Sequence, residues 1–246
     1  MRFAPSLALT LLASCSSKPE SQTVRVAAAA DLARAFEEVG RAFAEKTHVT
    51  PIFTFDASGL LAQKIGAGAP YALFASAGKK YVDQVVERAH CDAASVKTYA
   101  HGQLVMWTAA GIAPPKSLDD LKDPRFARIA IANPDQAPYG AAAKEALQKA
   151  GVWGEVESRL KLGDNVQATL QFATTGAVDV AIVSRSLTAS LGNGVATPID
   201  PSLYAAPIQQ LVVCATGDEG RYARDLADFI VSPDGKAILA KYGFTE

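Results

Sequence analysis

Short apolar runs alternate with amphipathic segments from residue 23 to the end of the chain, and this alternation restricts the fold more than any other feature. Runs at 23–29, 50–55 and 71–76 have strand length, and helical periodicity follows each of them, at 32–47, 59–66 and 79–89. In the first helix Leu32, Phe36, Val39 and Phe43 recur on one face, leaving Arg34, Glu37, Glu38 and Arg41 for solvent. Strands alternating with helices predict an α/β protein whose parallel sheet is covered on both faces.

A longer strand, GQLVMWTAA (102–110), precedes a proline-rich turn and a second alternating set. That set contains strands at 127–133 and 178–184, with helices at 141–150 and near 166–175. A lone strand at 208–215 and helices at 219–231 and 234–241 end the chain. Two such sets predict two lobes. Lobe I takes residues 23–103 and 208–246, lobe II takes 104–207, and the strands at 102–110 and 208–215 are expected to cross between them. A cleft between hinged lobes is a favoured place for a small ligand.

The first residues read as targeting sequence. Arg2 supplies a positive start, 7–12 are almost continuously apolar, and Leu12-Ala13-Ser14-Cys15 matches a signal peptide (1–14) ending in a lipobox. Cys15 is then the lipidated first residue of the mature protein, and 15–22 a polar tether to the membrane. No later stretch approaches the roughly 20 apolar residues of a membrane span. With 24 basic and 25 acidic residues, the chain has no basic stripe that would suggest nucleic acid. Cys91 and Cys214 are the remaining cysteines. Export permits a bridge between them; the sequence does not place them near each other, and QQLVVCA reads as a buried strand, which favours two reduced thiols.

Candidate ligand contacts fall where strands end and helices begin. AAAAD (27–31) and DASG (56–59) both place small or hydroxyl residues there, and ligands of open α/β sheets sit outside those strand ends. Asp31 is a good N-cap type, and Ser58 offers a hydroxyl besides its backbone N–H. In NPDQAPYGAAAKEAL (133–147), Pro138 fixes its φ, Gly140 relieves crowding, and Tyr139 is displayed at a helix start. Helix N-termini of this kind attract anions.

AAADL, FDASGLLAQKIGAGAP with LFASA after it, APYGAAAKEAL, DNV (164–166) and SPDGKAILAKYGF (232–244) together resemble the periplasmic molybdate-binding proteins of ABC transporters. The likeness spans nearly the whole mature chain, in order and at matching spacing. It implies the type II periplasmic binding protein fold, no catalysis, no cofactor, and no protein ligands to a metal. The cargo would be a tetrahedral oxyanion, molybdate or tungstate, held by neutral donors and passed to a permease by a monomeric, periplasmic or cell-surface protein. The family's binding positions fall on Asp31, Ser58, Tyr139, Val166 and Ser184. Three positions depart from its pattern: Asp31 replaces a serine or asparagine, Ser184 a tyrosine, and Ala72 an aspartate. The departures leave another oxyanion or a small acid open as cargo.

Asp31 raises a difficulty. An ionised carboxylate about 4 Å from one negative charge costs roughly 4 kcal/mol at an effective dielectric of 20. Its side chain is therefore expected to turn back and cap its helix; the alternatives are a ligand carrying its own protons, or a protonated Asp31. With no Lys, Arg or His in the site loops, binding is expected to tolerate pH from about 6 to 8, unless Asp31 itself titrates. A serine hydrolase is the rival class. Around Ser58, however, Asp56 and Leu60 stand where a nucleophile elbow has glycines, and Ser76-Ala77-Gly78-Lys79 lacks the companion motifs of an S-x-x-K enzyme. His48, His90 and His101 have no metal-ligand spacing.

Overall fold

A computed structural model describes residues 22–89, 91–189 and 191–246. The signal peptide, Cys15 and nearly all of the tether lie outside the described residues, as does His90; Gln22 already belongs to the first strand. Among the described residues no helix is long and apolar enough to cross a membrane.

The chain begins with β1 (Gln22–Ala29), a 3-10 turn (Ala30–Leu32), α1 (Ala33–Thr47), β2 (Val49–Asp56), α2 (Ser58–Gly66), β3 (Leu73–Ser76), α3 (Lys79–Ala89) and β4 (Lys97–His101). The middle holds β5 (Leu104–Ala109), β6 (Ile129–Ala132), α4 (Pro138–Lys149), α5 (Trp153–Val156), β7 (Leu160–Gly163), α6 (Val166–Thr174), β8 (Val180–Ser184), α7 (Arg185–Thr188) and β9 (Gly194–Pro198). It ends with β10 (Ile208–Val213), α8 (Gly217–Val231) and α9 (Pro233–Lys241).

Two five-stranded sheets result, ordered β2-β1-β3-β10-β4 and β7-β6-β8-β5-β9. Each has three parallel strands at one side and an antiparallel strand beside them. The central strands are buried on both faces, which explains runs such as VRVAAAA and VAIVS, where almost every residue is apolar. Helix α1 turns Phe36, Val39 and Phe43 onto the first sheet, and α8 and α9 cover it beside α1.

The crossings differ from expectation. β5 bonds only within the second sheet and β10 only within the first. The chain passes between the two sheets at Gly102–Gln103 and returns over 199–207. These passages are bonded to each other: the Gly102 N–H donates to the Pro207 carbonyl at 2.8 Å, and the Leu104 N–H to the Tyr204 hydroxyl at 3.0 Å. A side chain cannot replace Gly102 freely, because a Cβ there would meet the Tyr139 hydroxyl at 2.0 Å.

The cysteines also differ from expectation. Cys91 and Cys214 form a disulfide, with Cα atoms 4.1 Å apart. The reason lies in the backbone, where the Asp92 N–H donates to the Val213 carbonyl at 2.8 Å and draws the end of α3 against the end of β10. The bridge joins positions 123 residues apart, so it removes much freedom from the unfolded chain. Replacing both cysteines by alanine should lower stability by about 2–5 kcal/mol in urea denaturation. An unchanged midpoint and slope would show that the bridge contributes nothing.

Candidate functional site

The register of each sheet sets the site. Ala29 pairs with Asp56, so β1 and β2 end side by side and release the 30–32 turn and the start of α2 at one edge. In the second lobe Ala132 pairs with Gly163, which brings the segments leading to α4 and α6 to the facing edge. Gly140 permits the close packing of α4, since a Cβ there would sit 2.1 Å from the Ala132 carbonyl oxygen.

Between these edges lies a cavity. The first lobe lines it with Ala29, Ala30, Asp31, Asp56, Ala57, Ser58 and Ala77, and the second with Ala137, Pro138, Tyr139, Asn165 and Val166. The cavity is small and enclosed by residues of both lobes. They are closed against each other. Gly59 N–H donates to the Gln136 carbonyl at 2.9 Å, Tyr81 hydroxyl to the Asp135 carbonyl at 3.2 Å, and Asn165 Nδ2 to Asp56 Oδ1 at 3.3 Å.

Ser58 is the first residue of α2, Tyr139 the second of α4 and Val166 the first of α6. Backbone N–H groups at such positions have no acceptor within their own helix. Three partially positive helix ends therefore converge on the cavity, and among the described residues no lysine or arginine lines it. Ser58 Oγ accepts the Ala77 N–H at 3.1 Å, which leaves its own hydrogen to donate.

Two carboxylates border this positive field. Asp56 accepts from Lys64 Nζ at 2.8 Å, from the Ala57 N–H at 2.8 Å and from Asn165. Burial alone would raise its pKa, but these partners hold it below the ordinary carboxylate range. Asp31 is different. It is 1% exposed, its Oδ2 accepts from Gln209 Nε2 at 2.7 Å, and its Oδ1 is buried with no hydrogen-bond partner. Burial pushes its pKa up to about 7, against the opposing pull of the Tyr139 hydroxyl and the Gln209 amide. Burial beside Asp31 likewise drives the Tyr99 and Tyr139 phenols well above their usual value, so both remain neutral.

Asp31 therefore does not cap its helix. It sits inside the 3-10 turn, and neither that turn nor α1 has a side-chain cap. Because the turn postpones the start of α1 to Ala33, the carboxyl points away from the first helical N–H groups and meets Gln209 instead.

Of the five residues expected at the site, Asp31, Ser58, Tyr139 and Val166 line the cavity. Ser184 does not. At the end of β8 its Oγ lies 3.0 Å from Ser186 Oγ, and Ser186 Oγ donates to the Asp31 carbonyl at 2.7 Å, so it sits behind the turn rather than in the cavity. Sequence reasoning missed Asp56, Ala77, Asn165 and Gln209. Asn165 had a readable signal, an asparagine directly before a helical run, and it caps α6 by accepting from the N–H groups of Gln167 and Ala168. Gln209 had only its polarity within an apolar strand.

Two α/β lobes closing on a small cavity between their strand ends define the type II periplasmic binding protein fold. The chain belongs to the family described as bacterial extracellular solute-binding protein, whose model matches residues 24–245. It is 33% identical to the molybdate-binding protein ModA of Rhodobacter capsulatus over 98% of this chain and 95% of that one. With ModA of Azotobacter vinelandii it shares 30% identity over 99% and 96% of the two chains. Among solved structures, the periplasmic molybdate-binding protein of Azotobacter vinelandii superposes with a TM-score of 0.83 at 24% identity, covering 91% of this chain and 99% of that one. The sulfate-binding protein SubI of Mycobacterium tuberculosis H37Rv superposes with a TM-score of 0.75 at 19% identity, covering 91% and 86%.

Asp31 should leave a mark on stability without ligand. Its folded pKa, about 7, stands above the ordinary value of 3.8, so between these the folded chain holds a proton that the unfolded chain has lost. Stability should fall as pH rises through that window and level off above it. The loss should be on the order of 4 kcal/mol, at about 1.4 kcal/mol per pKa unit. Urea denaturation of wild type and Asp31→Asn at pH 5 and 8 checks this, the difference between the two proteins shrinking or reversing at pH 8. Parallel profiles would contradict it.

Proposed function

We propose that this protein captures a tetrahedral oxyanion, molybdate or tungstate, outside the cytoplasm and delivers it to an ABC permease. It is a binding component, not an enzyme. The observation that carries the reading is the convergence of three helix N-termini on a cavity that, among the described residues, no cationic side chain lines. Such a site binds an anion through neutral, fixed donors, and the four oxygens of a tetrahedral anion can be shared between donors of both lobes. The curated relatives named for molybdate match the chain over nearly its whole length, which supports the same cargo here. No protein atom needs to touch the metal, because the anion's own oxygens meet the donors, and no cofactor takes part.

Residues 23–103 with 208–246, and 104–207, are read as two bodies that part and close about Gly102–Gln103 and 199–207. A ligand touching both favours the closed state by its differential affinity. At the chain's start, Cys15 would carry a lipid that holds a monomer to the membrane, in the periplasm or at the cell surface.

Calorimetric titration of the purified protein with molybdate, tungstate, sulfate and phosphate tests the reading. Molybdate and tungstate should bind one per chain and more tightly than the others, and at 100 times Kd should add about 2.7 kcal/mol of stability. No binding by any of the four, or preference for sulfate or phosphate, would overturn it. Ser58→Ala removes a donor and leaves the Ala77 N–H unpaired, so molybdate affinity should fall by about 10- to 100-fold. Unchanged affinity would show that the Ser58 hydroxyl does not touch the anion, leaving only the backbone N–H of α2 as a donor.

A further inference from the structure

We propose that Asp31 enters the complex as a neutral carboxylic acid whose Oδ1 carries the proton and donates it to one oxygen of the bound anion, so that ligand capture and proton uptake are a single event. This rests on the oxyanion reading above and adds a residue that sets which anions are accepted.

Geometry assigns the proton. Oδ2 already accepts a hydrogen from Gln209 Nε2 at 2.7 Å, so it has the role of a carbonyl oxygen. Oδ1 has no partner, is buried, and belongs to a residue that lines the cavity. A buried acceptor without a donor is costly, whereas a buried O–H facing an anion oxygen is satisfied. The ionised form has the Tyr139 hydroxyl and the Gln209 amide to favour it, but it repels the anion. About 4 Å from one negative charge it would cost roughly three decades of affinity.

Among the described residues no lysine, arginine or histidine lines the cavity beside Asp31. Helix α6 contributes no titratable side chain. From α7, the exposed Arg185 donates to Gln103 Oε1 at 2.8 Å. Arg34, in the first turn of α1, is partly exposed and does not line the cavity. Facing Asp31 from α4 and β4 are the neutral phenols of Tyr139 and Tyr99. Across the cavity β2 ends in Asp56, an anion already paired with Lys64. The raised pKa of Asp31, about 7, agrees with this placement, so the proton is available near neutrality.

Selectivity follows from the direction of the bond. A neutral Asp31 is a donor and matches an anion that has shed all its protons, as molybdate and tungstate have at neutral pH. An ionised Asp31 would be an acceptor and would need an anion that keeps a proton, as phosphate does. The tolerance of pH expected from the absence of histidine is therefore replaced by a dependence on Asp31.

Titration calorimetry with molybdate from pH 6 to 9, repeated in buffers of different ionisation enthalpy, counts the protons directly. At pH 8 wild type should take up close to one proton per molybdate, and affinity should fall about tenfold per pH unit above 7. Asp31→Asn keeps a carbonyl for Gln209 and places an N–H where the acid O–H stood. It should bind without proton uptake, with a flat pH profile that overtakes wild type at pH 8 and above. Asp31→Ala should lose tenfold or more at pH 6. Wild type that binds molybdate at pH 8 without taking up a proton overturns the inference and leaves the oxyanion reading standing. If none of molybdate, tungstate, sulfate and phosphate binds at any pH, the oxyanion reading falls and takes the inference with it. The wild-type proton count needs no variant, so a poorly folded substitution cannot obscure the answer.

Discussion

Ser58, Tyr139 and Val166 each stand in the first turn of a helix, where the backbone N–H has no carbonyl one turn earlier to bond. Such groups are unpaired donors wherever a helix begins; here three helices begin around one cavity, and the fold is what brings them there. Parallel pairing places Ala29 beside Asp56 and Ala132 beside Gly163, so strand ends align and the helices that follow start at one edge of each sheet. Small residues let those starts approach: Ala57, Ala77 and Ala137 line the cavity, and Gly140 lies too close to Ala132 to bear a side chain. Because the donors are divided between the lobes, the proposed binding mode ties capture of the anion to closure.

The two acids at the cavity are compatible with an anion for different reasons. Asp56 keeps its charge and has it matched locally by Lys64, the Ala57 N–H and Asn165, so little of its field is left to face the cavity. Asp31 has no ionic partner among the described residues and is buried, and the same burial that would make its charge expensive raises its pKa to about 7. One acid is neutralised by partners and the other by a proton. That Asp56 also receives a hydrogen bond from Asn165 of the other lobe makes it part of closure as well as of the electrostatics.

Much of this was legible in the sequence because burial leaves a periodic trace. The central strands are apolar on both faces, the helices between them carry one apolar face, and the helix starts that form the site follow the strands directly. What escaped had no such trace. β4, β7 and β9 all lie at sheet edges, where one side has no strand partner, and KTYAH, LKLG and GVATP mix polar and apolar residues without a clear period. Asp31 read as a helix cap because of its type; one extra turn of 3-10 helix, invisible to propensity, moved the helix start past it. The Cys91–Cys214 bridge depends on contact between residues 123 apart, which no local pattern encodes. The position of Ser184 behind the 30–32 turn depends on its pairing with Ser186, another tertiary fact.

The central claim is that fixed N–H donors from three helix starts hold the anion. The most direct test is a crystal structure of the molybdate complex with diffraction measured at the molybdenum absorption edge, which locates the metal independently of the protein. The account predicts one anomalous peak between α2, α4 and α6, with anion oxygens about 3 Å from the backbone nitrogens of Ser58, Tyr139 and Val166. A peak elsewhere, a protein atom bonded to the metal, or a lysine or arginine side chain as the main contact would contradict it.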